Sequence, residues 1–451
     1  MIFSQRSIAY LITAALLLCV AGLILSSEDL YSSTQADTDA QESKHYYGPG
    51  DNKQGYDSVD YKTNALDLQK RIGKKADLIQ FVKNPPLGLP AVPVPADNPV
   101  TKEKVSLGRR LFFDRRLSIN DTFSCAICHI PEQGFTNNEI QTAVGVEGRS
   151  GKRNAPMIYN VAYLELIFHD GRESTLEQQV WAPFLARNEM ANPSIGYVID
   201  KINAIPEYKG LFEKAFDGRG PTMETVGMAL SAYQRTLNSA DSPFDRWHFG
   251  KQDDAVNEQV KRGFELFNGK GTCNVCHLVQ EDYALFTDNQ LHNTGLGYKA
   301  SMGITTKTTR VQLAPGVYAD LDNEVIKAVS RPKANDVGRY EVTENPNDRW
   351  KFRTPTLRNL TLTAPYMHDG SLHTLREVVE FYNQGGVPNE VLSPLIRPLG
   401  LNEEEVSDIV AFLESLTGSN VGVLVSDAFS APIGDISKDD PNWAHEKKDE
   451  K

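Results

Sequence analysis

Cys125-Ala126-Ile127-Cys128-His129 is the stretch from which the architecture can be read. Two thiols three residues apart can bond both vinyl groups of one haem, and the histidine that follows can ligate its iron. A thioredoxin-like redox pair or half of a zinc site also uses two cysteines at this spacing, but neither requires histidine directly after the second. The pattern then recurs as Cys273-Asn274-Val275-Cys276-His277, which leaves Cys19 as the one remaining cysteine. Two copies predict two covalently bound haem c groups.

Outward from these motifs, the chain repeats itself. Gly108-Arg109-Arg110-Leu111-Phe112 precedes the first motif and Gly263-Phe264-Glu265-Leu266-Phe267 the second. Pro156 is followed by Asn160 and His169-Asp170-Gly171, and Pro355 by Asn359 and His368-Asp369-Gly370, with intervals of four and thirteen residues in both halves (160 − 156 and 359 − 355; 169 − 156 and 368 − 355). Thr175-Leu176 and Thr374-Leu375 also keep step. Such a repeat predicts one haem-binding unit duplicated. Val226, Ala229, Leu230, Tyr233 and Leu237 give the first half an amphipathic helix. Val406, Ile409, Val410, Leu413 and Leu416, after Asn402 as cap, give the second half its own. Strand alternation is scarce, so the expected fold is all-α: two cytochrome c-like domains with long loops and an N-terminal extension.

A length of 451 residues accommodates two or three domains. A net charge of −12, from 47 basic and 59 acidic side chains, argues against nucleic acid as a partner. Residues 8–25 form an apolar run of 18 after Arg6, which fits a secretory signal and approaches the length that spans a bilayer. Export to the periplasm follows, with residues 8–25 as a membrane anchor if they are not cleaved. Cys19 lacks the small residues expected before a lipidated cysteine. The expected divisions are 1–27, signal or anchor; 28–100, a polar tether and a proline-rich strap lying across the first haem domain; 101–252 and 253–418, the two haem domains; and 419–451, a surface tail. His45, His248 and His445 read as surface residues.

With His129 and His277 as proximal ligands, function depends on the opposite face of each iron: a saturated iron shuttles electrons, whereas an open one binds peroxide. Between His129 and His169 the first half offers Met157 alone; the second offers His292, Met302, Met367, His368, His373 and Tyr382.

Here the chain resembles the bacterial di-haem cytochrome c peroxidase family, including its MauG-like branch. The resemblance runs from about Pro85 to Gly418, through Leu107 to Asp114, Arg153-Asn154-Ala155-Pro156, His169-Asp170-Gly171-Arg172, Phe352 to Asn359 and Ala364-Pro365-Tyr366-Met367-His368-Asp369-Gly370. It implies that the C-terminal haem accepts electrons, with its distal ligand fourteen residues after His368, at Tyr382; the ordinary peroxidases carry methionine there and the MauG-like branch tyrosine. The same offset from His169 reaches Pro183, which has no side-chain donor, so the first iron is expected to be open. The resemblance places the catalytic acid–base at Glu189, twenty residues after His169, and calcium at Asn154, Thr363 and Pro365. It also places a tryptophan where this chain has His169, which therefore serves either a structural role or a relay or proton role. His292 is given a place in the haem environment.

Three functions follow as expectations. The first is a peroxidase reducing hydrogen peroxide to water with electrons from a small cytochrome c or cupredoxin. The second is a MauG-like oxidase using high-valent iron to modify a residue on a partner protein. The third is a non-catalytic di-haem electron carrier.

Overall fold

The computed structural model describes residues 74–303, 308–314, 317–325 and 335–431. The apolar run 8–25 and the part of the expected tether before residue 74 lie outside them. Among the described residues no helix is long and apolar enough to cross a membrane.

The principal helices are α1 (Lys102–Phe113), α2 (Ile195–Ala204), α3 (Met223–Gln234), α4 (Pro243–His248), α5 (Glu258–Asn268), α6 (Leu375–Asn383), α7 (Glu403–Glu414) and α8 (Val421–Phe429). In the first half α1 packs on α3; in the second α5 packs on α7. The glycine of each Gly-x-x-Leu-Phe sequence sits where its pair crosses. A Cβ on Gly108 would run into the carbonyl of Ala229, and one on Gly263 into that of Asp408. Thr101 caps α1 by accepting from Lys104 N, while Thr222 and Asn402 begin α3 and α7 with reciprocal capping boxes. Gly263→Ala should lower the thermal midpoint, because overpacking against a fixed backbone costs about 1–3 kcal/mol and outweighs the ~1 kcal/mol alanine gains in a helix. Gly422→Ala on α8, where a Cβ meets open space, should raise it.

The two halves share local conformation beyond these crossings. Asn160 and Asn359 are both left-handed, with φ of 62° and 61°; so are Phe168 and Met367, at 67° and 73°. Short antiparallel bridges follow, Ile167 with Glu173 and Tyr366 with Leu372. Thr175 and Thr374 then each cap a helix with the side chain.

Five expectations need correction. The fold is mainly helical but not free of strands. β1 (Leu291–His292) pairs antiparallel with β4 (Phe352–Arg353), and β2 (Thr308–Ala314) with β3 (Val317–Asp322). The surface tail from 419 is a tail only in name as far as Ala431, because α8 belongs to the first core. Leu424 and Val425 are buried there, α8 packs on the turn Pro131–Gln133 just after His129, and Asp427 pairs with buried Arg109 at 2.7 Å. The strap lies between the halves and not across the first alone. Pro90 O accepts from the Tyr163 hydroxyl, whereas Gly88 O accepts from Arg358 and from Ala284 N. The second core also begins before Asp253: Phe244 on α4 is fully buried in it. His248 stacks on Phe244 at 5.2 Å instead of standing free on the surface.

Candidate haem sites and the cavity between them

Both attachment motifs present their histidine in the same way. His129 Nδ1 donates to Phe135 O at 3.1 Å and His277 Nδ1 to Phe286 O at 2.8 Å, which leaves each Nε2 lone pair free for a metal. The two phenylalanines share a left-handed φ of 52° that turns these carbonyls toward the imidazoles. The threonine after each phenylalanine ties the loop down: Thr136 Oγ1 donates to Ala155 O, and Thr287 Oγ1 to Thr354 O. Those carbonyls immediately precede Pro156 and Pro355. The sequence carried this signal as Phe135-Thr136 and Phe286-Thr287, which the spacing argument passed over.

Burial sets the protonation states that ligation requires. It holds the His129 pKa down to about 4, and that of His277 below its ordinary value, so both rings are neutral. The thiols of Cys125, Cys128 and Cys273 are pushed up to about 12 and that of Cys276 to about 11, and none is in a disulfide. A reactive redox pair needs a depressed thiol pKa, so that reading is disfavoured.

A cavity of about 440 Å³ opens beside the second motif, within the range of about 300–1,000 Å³ usual for cofactor sites. Cys273, Cys276 and His277 line it together with Tyr382 and Val379 of α6 and Ile409 of α7. Burial raises the Tyr382 phenol well above its ordinary pKa. Of the other distal candidates, Met302 is 59% exposed and drops out. His368 is stacked on Phe352, with ring centroids 3.6 Å apart. His292 Nε2 is bonded to Asp288 at 2.8 Å and lies 3.7 Å from Cys276 Sγ. Cys276, Asp288 and His292 could together hold a metal ion, but thioether formation consumes that sulfur.

Glu189 stands near the first motif, where its charge raises the pKa of the Cys125 and Cys128 thiols. Its backbone is clamped: Val146 N donates to Glu189 O and Glu189 N to Ala186 O, both at 2.9 Å. Burial raises its carboxyl pKa and Arg172 opposes the rise. Pro183 lies in the short helix Trp181–Leu185.

Between the halves, half-buried His169 donates from Nε2 to Asn154 O at 3.0 Å, and desolvation holds its pKa at about 3. Asn154 N donates to His368 O, and Arg353 N to His169 O. Asn154, Thr363 and Pro365 all line the same cavity, and Asn154 Nδ2 donates to Gln141 O.

Haem fits these surroundings. Tyr159 Oη and Trp181 Nε1 are buried in the first half without hydrogen-bond partners, as donors awaiting an acceptor would be. Paired thiols, oriented neutral imidazoles and the cavity beside them are the attachment features of a c-type cytochrome with two haems.

Comparison with known proteins narrows the class. The di-haem cytochrome c peroxidase family model matches residues 102–253. Cytochrome-c peroxidase IdrP1 of Denitromonas iodatirespirans is 38% identical over 339 residues, 74% of this chain and 87% of that one. Methylamine utilization protein MauG of Methylorubrum extorquens is 37% identical over 327 residues, covering 72% and 81%. The crystal structure of a MauG-like protein associated with microbial copper homeostasis superposes with a TM-score of 0.62 at 31% identity, over 77% of this chain and 98% of that one. The chain belongs to the di-haem cytochrome c peroxidase family.

Proposed function

We infer that this chain is a di-haem peroxidase reducing hydrogen peroxide to water with electrons from a small cytochrome c or cupredoxin. The observation that carries this reading is the asymmetry of the halves. Tyr382 shares a cavity with His277, whereas the matching position in the first half is Pro183, and Glu189 stands beside the first motif. The haems supply one-electron storage and an iron to which peroxide binds. His129 and His277 would each hold one iron through Nε2. Tyr382 would ligate the second and leave it to take electrons, while Pro183 offers the first no side-chain donor. Glu189 would take a proton from hydrogen peroxide and return it to the oxygen that departs as water. Two electrons and two further protons complete the conversion of one peroxide into two waters. The raised pKa of Glu189 suits the donating half of this cycle, and Arg172 limits the rise.

The matched conformations of the halves support descent from one duplicated haem unit. Asn154, Thr363 and Pro365 offer oxygen donors suited to calcium, with waters completing the shell. Residues 8–25 support export to the periplasm, as a cleaved signal or an anchor.

A MauG-like oxidase acting on a partner protein is the second reading, and Tyr382 favours it. Against it, His169 is a neutral imidazole with its Nε2 proton fixed on Asn154. A plain electron carrier needs both irons closed, which Pro183 opposes. Stopped-flow spectroscopy of the diferric protein with peroxide, followed by turnover with a reduced cytochrome, separates the three. Rapid turnover supports the peroxidase. A long-lived oxidised state without turnover selects the second reading, and no reaction leaves the carrier.

A further inference from the structure

Arg353 is a buried cation without a counter-charge. It lies on β4, is 8% exposed and lines the cavity that contains His277. Its guanidinium bonds go to neutral oxygens: Nε donates to Phe168 O at 3.3 Å and Nη1 to Thr354 O at 3.0 Å. Among the described residues no carboxylate acts on it, and burial alone pulls its pKa down to about 10.

The other arginines buried to this degree are all paired. Arg109 holds Asp427, Arg235 holds Glu177, and Arg358 holds Asp245, at 2.7, 2.6 and 2.8 Å. Even the neighbouring Arg153 is neutralised by Asp170 and Asp336. A lone charge in an apolar interior is strongly unfavourable, and a guanidinium fork matches a carboxylate by two parallel bonds. The missing partner is therefore an anion that enters the cavity. A haem bonded to Cys273 and Cys276 would enter this cavity, which both cysteines line, and every haem c brings two propionate carboxylates.

We propose that Arg353 is the counter-charge of a propionate on the second haem and so helps to set that haem's reduction equilibrium. This rests on the two-haem reading and not on peroxide chemistry. A fixed cation beside the propionate offsets the negative charge that reduction adds, so its loss disfavours the reduced state.

The test is spectroelectrochemistry of Arg353→Gln holoprotein, with two haems per chain verified by the pyridine haemochrome. The second haem's reduction equilibrium should fall about tenfold, equivalent to 59 mV for one electron, and Arg353→Lys should lie between the variant and the native protein. An unchanged second haem overturns the proposal, as does a shift confined to the first. If the glutamine variant does not retain both haems, Arg353→Lys is read by resonance Raman at the propionate bending mode. That band should move as a forked contact becomes a single one; an unmoved band overturns the assignment. Haem counting checks the cofactor reading independently, and peroxide turnover checks the function.

Discussion

Tyr382→Met should raise the midpoint potential of the second haem by roughly 0.2 V, a quarter of the range of about 0.8 V that axial ligands span. A phenolate is a hard, anionic donor that stabilises ferric iron; a thioether is neutral and soft and favours the ferrous state. Methionine is long enough to stay within the apolar wall formed by Val379 and Ile409, so the cavity is retained. The native protein should also show a pH dependence that the variant lacks. Burial keeps the Tyr382 hydroxyl protonated in the absence of iron, so ligation releases a proton and weakens as the pH falls. Potentiometry followed at the low-spin Soret band reads both effects. A potential unmoved by the substitution would mean that the second iron takes its distal ligand elsewhere, with Met367, which also lines the cavity, one alternative.

Glu189→Gln should slow peroxide cleavage by about 10²-fold or more while leaving haem content and both potentials in place. The amide fills the same space, and the contacts holding this loop, from Val146 N to Glu189 O and from Glu189 N to Ala186 O, belong to the backbone. The native pH profile should carry an acid limb. A base works only when ionised, and burial places this carboxyl's pKa above the ordinary 4.5, so activity falls as the pH drops through that raised value. The glutamine variant should lose the limb together with the rate. A native rate in the variant would remove Glu189 from the chemistry.

How far the sequence could be read depended on whether a residue's partner was close along the chain or fixed by the repeat. The haem motifs and the repeated Gly-x-x-Leu-Phe sequences were legible because each obeys a short-range rule that the two halves state twice, and the Asn402 cap because it obeys one locally. Tyr382 and Glu189 came from the family's offsets, and the structure brings one beside Cys273 and Cys276 and the other beside Cys125 and Cys128. The pairing of β2 with β3 was not legible, because neither run alternates cleanly between apolar and polar residues. The strap's true position depends on Arg358 and Tyr163, far away in sequence. Arg353 could not be singled out at all, because a missing counter-ion is visible only once every neighbour has been placed.

The pairing of α8 with the first core bears on how the protein is made. Synthesis delivers His129 a full 292 residues (421 − 129) before Val421, the first residue of that helix. Until α8 arrives, Arg109 has no Asp427 beside it and the turn after His129 lacks the helix that packs on it. The first core is therefore completed only by residues made after the whole of the second haem domain, and α8, the last helix among the described residues, is the one that shuts it.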